Sequence, residues 1–134
     1  MVWPPATRSA FFDAVSHSYT SAADATGAVL LPAGNGWRAA WRRDRNLQLY
    51  GPYVFHPSLA GSYLAALIIF QRLTGRTAPD LAMRGVPPDV ARELHAAAAD
   101  VRPATAKLPR PDQRGVRSRI FRSSSGVQRR KYSR

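Results

Sequence analysis

The chain has no cysteine among its 134 residues, which excludes disulfides, thiolate metal sites and a cysteine nucleophile within it. Acidic residues are scarce: eight Asp/Glu stand against 20 Lys/Arg, for a net charge of +12. The shortage is local. Residues 1–101 carry nine basic and seven acidic side chains, whereas residues 102–134 carry eleven and one, so the last quarter of the chain sets the pI of about 11.5. Long apolar runs are also missing. The most apolar stretch, Tyr63 to Phe70, is far short of the ~20 residues that span a bilayer. No basic n-region followed by an apolar h-region opens the chain, and the expectation is a soluble protein, cytoplasmic by default. Internal repeats and metal-spaced clusters are lacking as well, so neither a cofactor nor a bound metal is expected.

Composition divides the chain into a folded part, residues 1–101, and a basic tail, residues 102–134. In the tail Pro103, Pro109 and Pro111 alternate with arginines, and Ser123, Ser124, Ser125 and Gly126 precede Arg129, Arg130 and Lys131. Ile120 and Phe121 are its main sizeable apolar residues. Such a segment cannot bury enough surface to offset the entropy of ordering it, which predicts disorder. Its charge allows weak contact with nucleic acid or another polyanion.

Within the folded part, Met1, Val2 and Trp3 read as the end of a strand that Pro4 and Pro5 terminate, because proline cannot donate to a ladder. So short a strand implies further chain upstream. Thr7 can cap a helix over residues 8–26, with Phe11, Phe12, Val15, Tyr19, Ala22 and Ala23 at helical spacing and Gly27 as its stop. The apolar run 28–31 between Gly27 and Pro32 fits a strand buried on both faces, which would complete a βαβ unit with residues 1–3. Gly34, Asn35 and Gly36 read as a turn, with Asn35 capping a helix from Trp37 to Arg43. Arg42, Arg43, Asp44 and Arg45 fit a solvated helix end. A last helix starts at Pro87, Pro88 and Asp89 and reaches about Ala99.

The chain is organised around residues 49–76. Pro57 has no N–H to donate and Ser58 is a good N-cap, so the loop carrying His56 ends there and a helix begins; Gly75 closes it. Leu59, Tyr63, Leu64, Leu67, Ile68, Phe70 and Leu73 leave that helix apolar nearly all round, which predicts burial. His56 is then presented by a rigid element.

The order His56-Pro57-Ser58, Gly61-Ser62-Tyr63-Leu64-Ala65-Ala66 and Leu73-Thr74-Gly75-Arg76 resembles the C-terminal catalytic block of the SGNH/GDSL hydrolases. Upstream, Val2-Trp3-Pro4, Phe11-Phe12, Ala22-Ala23, residues 27–34, Trp37 and Leu49-Tyr50 fit the same pattern in order and spacing. The resemblance covers residues 1–101. It implies a hydrolase acting on ester bonds of small molecules, with His56 as general base. For the fold it implies the C-terminal fragment of a three-layer α/β/α, flavodoxin-like domain. That fragment would have one short parallel pairing near Trp3 and residues 29–31, and three main helices. With most of the sheet gone, exposed apolar surface and open edges would favour self-association.

Two departures matter for chemistry. The family carries a Gly-Asp-Ser block and a Gly-x-Asn-Asp block, and neither occurs in this sequence; Gly34-Asn35-Gly36 lacks the Asp. The family also places an aspartate three residues before the histidine, where this chain has Tyr53. A phenol is neutral at pH 7 and cannot stabilise an imidazolium as a carboxylate does. Asp44 is the candidate replacement. The resulting expectation is a truncated or degenerate hydrolase portion, inactive alone. The alternative is a polyanion-binding protein acting through the tail.

Overall fold

The computed structural model describes residues 6–81 and 83–101. A 3₁₀ turn, Ala6–Phe11, leads into four α-helices: α1 (Phe12–Thr26), α2 (Ala33–Arg43), α3 (Leu59–Thr74) and α4 (Pro88–Asp100). The α/β expectation is overturned. Among the described residues there is no strand, and the one β-type pairing is an isolated antiparallel bridge between Tyr50 and Pro57. The three-layer fragment is replaced by a four-helix arrangement in which α2, α3 and α4 pack on one another. Residues 28–31 form the connector between α1 and α2 instead of a strand. A strand exists only through a ladder partner, and here an α3 side chain and a neighbouring backbone N–H take two of the carbonyls. Leu30 O accepts from Arg72 Nε at 3.1 Å, and Leu31 O accepts from Ala33 N at 3.0 Å. The other half of the expected βαβ unit, residues 1–3, lies outside the described residues, as does the tail 102–134 with its expected disorder.

α3 begins and ends where its sequence predicts. Ser58 is extended, and its hydroxyl accepts from Gly61 N at 3.1 Å. Gly75, in the left-handed conformation, closes the helix with its N–H on Gln71 O. Burial is one-sided: Gly61, Tyr63, Leu64, Leu67, Ile68 and Gln71 face the core, whereas Leu59 and Leu73 are exposed. α2 starts four residues earlier than expected. Gly34 and Gly36 are not a turn but buried helical positions, and a Cβ at position 36 would run into the Ile68 side chain. Glycine costs a helix about 1 kcal/mol against alanine. Here that loss is offset by the close approach of α2 to α3.

α4 has Pro88 at its first turn and Asp89 beside it, where a missing N–H does no harm and a carboxylate meets the positive end of the helix dipole. Its buried residues, Ala91, Leu94, Ala97 and Ala98, are mostly small. They allow it to lie against α2 and α3, enclosing Trp37, Leu47, Leu49, Tyr63, Leu64 and Leu67 in one core. α1 is peripheral. Phe12 is its one buried residue, and Arg38 holds it in place, with Nη1 2.6 Å from Asp13 Oδ1 and the guanidinium 4.1 Å from the Phe12 ring centre.

At Gly61 an added Cβ would meet the Leu49 carbonyl and the Trp37 indole. Neither can yield cheaply, so Gly61→Ala should destabilise by the ~1–3 kcal/mol typical of overpacking. Gly27 has open space around it but φ +67°, and Gly27→Ala should lose only the ~1 kcal/mol of left-handed strain. Urea unfolding followed by far-UV circular dichroism should therefore rank Gly61→Ala as the less stable variant.

Candidate functional site

His56 sits on a closed loop. The Tyr50–Pro57 bridge forms its neck, Gly51 N donates to His56 O at 2.8 Å and Val54 N to Gly51 O at 3.0 Å. At its tip Val54 adopts φ +49°, a region costly for a β-branched residue, of order 1–3 kcal/mol. The loop is held there from outside as well, since Ala6 N donates to Val54 O at 3.1 Å. Ser58 anchors the base: its N–H donates to Leu49 O at 2.9 Å and its hydroxyl to Gln48 O at 2.6 Å while accepting from Gly61 N. That hydroxyl is committed to structure and is no nucleophile.

The imidazole of His56 is exposed and packs edge-on to Phe55, ring centres 4.8 Å apart. Its two neighbours, Phe55 and Pro57, line an apolar groove of about 510 Å³ walled by Leu31, Trp37, Ala65, Ala66 and Ile69. The groove has the composition of a site for the apolar part of a small ligand, and His56 lies in the chain between two of the residues that line it.

Among the described residues no carboxylate completes the histidine. Tyr53 is 86% exposed, and among the described residues neither a hydrogen bond nor an ion pair joins it, or Asp44, to His56. Asp44 follows α2, where its Oδ1 accepts from Asn46 N at 2.8 Å. Among the described residues no group of three His, Asp or Glu side chains is placed to hold a metal ion, and no helix is long and apolar enough to cross a membrane.

A second polar cluster, which the sequence did not show, lies where α3, α4 and their connector meet. Tyr63 Oη donates to Leu81 O at 2.9 Å and lies 2.8 Å from His95 Nε2. The phenol has one proton, so with Leu81 O accepting it His95 Nε2 must be the donor to Tyr63. Asp80 Oδ1 is 3.7 Å from the same nitrogen. The cluster is a brace between helices: Tyr63 is buried and His95 half-buried. No local signal could have found it, since the two rings are 32 residues apart. His17 is exposed on α1.

No family model, curated protein or solved structure matches this chain.

Burial, and then the Asp80 carboxylate, push the Tyr63 phenol above its ordinary pKa. The folded state then holds this proton more tightly than the unfolded state. The associated stability is fully present below the unfolded value, about pH 10, and is lost as pH rises through the folded value. Tyr63→Phe should cost ~1–3 kcal/mol at neutral pH by removing the hydroxyl that pairs with Leu81 O and His95 Nε2, yet lose less further stability between pH 9 and 12 than the wild type. Urea unfolding across that range measures both.

Proposed function

We propose that this chain supplies the histidine base of an SGNH/GDSL-type hydrolase acting on small-molecule esters, and that it hydrolyses none by itself. The observation that carries the reading is the placement of His56. It is exposed on a strained loop clamped to the start of α3, between two residues, Phe55 and Pro57, that line an apolar groove. That is where a base must stand to take a proton from a hydroxyl poised over a bound ester. The reading rests on this loop and helix and on the His-Pro-Ser and Gly-Ser-Tyr-Leu-Ala-Ala motifs, not on a sheet.

In this chemistry the imidazole Nε2 accepts the serine proton as the oxygen attacks the carbonyl. It returns that proton to the leaving alcohol, while N–H donors hold the oxyanion. The serine and oxyanion blocks are not among these residues, so they must be provided by another polypeptide segment. Even then His56 lacks a carboxylate to fix its tautomer, a loss worth about 10⁴-fold in turnover in a related triad. Exposed apolar side chains on the loop and at the start of α3, Phe55 and Leu59, support self-association of the isolated chain.

Hydrolysis of a short p-nitrophenyl ester by this chain should stay at background; saturable cleavage abolished by His56→Ala would show that it is competent alone. With a Gly-Asp-Ser-bearing segment fused or added, weak His56-dependent activity should appear. Tyr53→Asp should then raise turnover, because a carboxylate would hold Nδ1–H and leave Nε2 free to accept. A folded assembly with no activity that depends on His56 would remove the assignment.

A further inference from the structure

The arginine run at the end of α2 is divided by the fold. Arg43 turns to α4, where its Nε is 3.1 Å from Glu93 Oε2 and its Nη1 3.3 Å from Asp100 Oδ2. Arg38, Arg42 and Arg45 instead line, with Trp41, one concavity of about 440 Å³ that has no carboxylate in its wall. Arg38 and Arg42 are a turn apart on the same helix face, and Arg45 returns to it beyond the cap at Asp44. Arg38 is half-buried and fixed by Asp13 and the Phe12 ring. Arg42 and Arg45 are exposed and form no ion pair among the described residues.

We infer that this concavity binds a compact polyphosphate group, either inorganic triphosphate or the phosphate chain of a nucleotide. Guanidinium forks match phosphate oxygens in pairs, and three of them around one space suit several phosphoryl groups better than a single carboxylate. A helix end rich in cations is expected from the dipole alone. The dipole accounts for Arg42 and Arg43 in the last turn, but not for Arg38 a turn earlier, nor for convergence with Arg45. Its partial charge of about −0.5 also opposes an anion, yet two unpaired guanidiniums and a third shared with Asp13 outweigh it. An extended nucleic-acid strand fits less well. Phosphate contacts need a continuous basic track, and the neighbouring surface carries Asp13, Glu93 and Asp100.

Trp41 provides the reporter, because its Nε1–H donates to Leu47 O at 2.9 Å beside the arginines. The full chain at low ionic strength is titrated with inorganic triphosphate while the indole Nε1–H resonances are followed by NMR. The Trp41 signal should shift saturably. Arg42→Gln/Arg45→Gln should weaken the apparent affinity by roughly tenfold or more, whereas Arg129→Gln/Arg130→Gln in the basic tail should leave it nearly unchanged. A nucleoside triphosphate that binds as inorganic triphosphate does would assign recognition to the phosphates alone. Tighter binding would add a base contact at Trp41. Both substituted arginines are exposed, so an unchanged far-UV spectrum is expected of each variant. A Trp41 shift that does not saturate, or an Arg42→Gln/Arg45→Gln affinity equal to the wild type, would overturn the site, as would an affinity lost in Arg129→Gln/Arg130→Gln.

Discussion

The contact of Gly61 with Leu49 and Trp37 is the constraint on which the rest of the molecule depends. The indole of Trp37 lies so close to the α3 backbone that only glycine fits, and its Nε1 donates to Gly61 O at 3.1 Å. The same turn is tied to the preceding segment by Ser58, through its N–H on Leu49 O and its hydroxyl on Gln48 O. These bonds bring α2, the segment before the loop and the first turn of α3 together at one point. Trp37 is thereby aligned edge-on to Trp41 and Tyr50, with ring centres 5.6 and 5.1 Å away. Such pairs add to the stabilisation that area burial alone provides.

The candidate site inherits its order from that point. A loop that begins at Tyr50 and returns at Pro57 has little freedom once both ends are pinned to α3, and the strain at Val54 is sustained because bonds on either side specify it. The groove beside His56 is bounded by Trp37 and by the less buried flank of α3, Ala65, Ala66 and Ile69. One rigid helix thus gives both the seat of the histidine and a wall of the groove. What is not prearranged is the partner of the imidazole, since Tyr53 points to solvent and Asp44 is used at the end of α2.

Charge is distributed by packing in the same way. Three arginines on or near α2 have three different environments: Arg43 is shared between two carboxylates of α4, Arg38 holds α1 through Asp13 and Phe12, and Arg42 faces solvent. These are exposed or half-exposed pairs, and they set orientation more than they stabilise. The attachment of α1 is correspondingly light, with one buried side chain and with Phe11 and Tyr19 left exposed.

Sequence alone determined what short-range chemistry encodes. Ser58 and Gly75 mark the ends of α3, Gly27 the end of α1 and Pro88 the start of α4, because a cap depends on residues within one turn of it. The position of His56 directly before the start of α3 was legible for the same reason. Tertiary structure decided whatever needed a distant partner. The run 28–31 carries the apolar pattern of a buried strand, but that pattern does not distinguish a strand from any other short buried segment; lacking a ladder among the described residues, it is a connector. Gly34 and Gly36 look like a turn until the helix is seen to run through both, with Ile68 and Leu64 set against Gly36, where the absent side chain becomes the means of helix approach. The Tyr63–His95 brace and the division of the arginines join residues tens of positions apart. Such contacts leave no local periodicity, so only packing could disclose them.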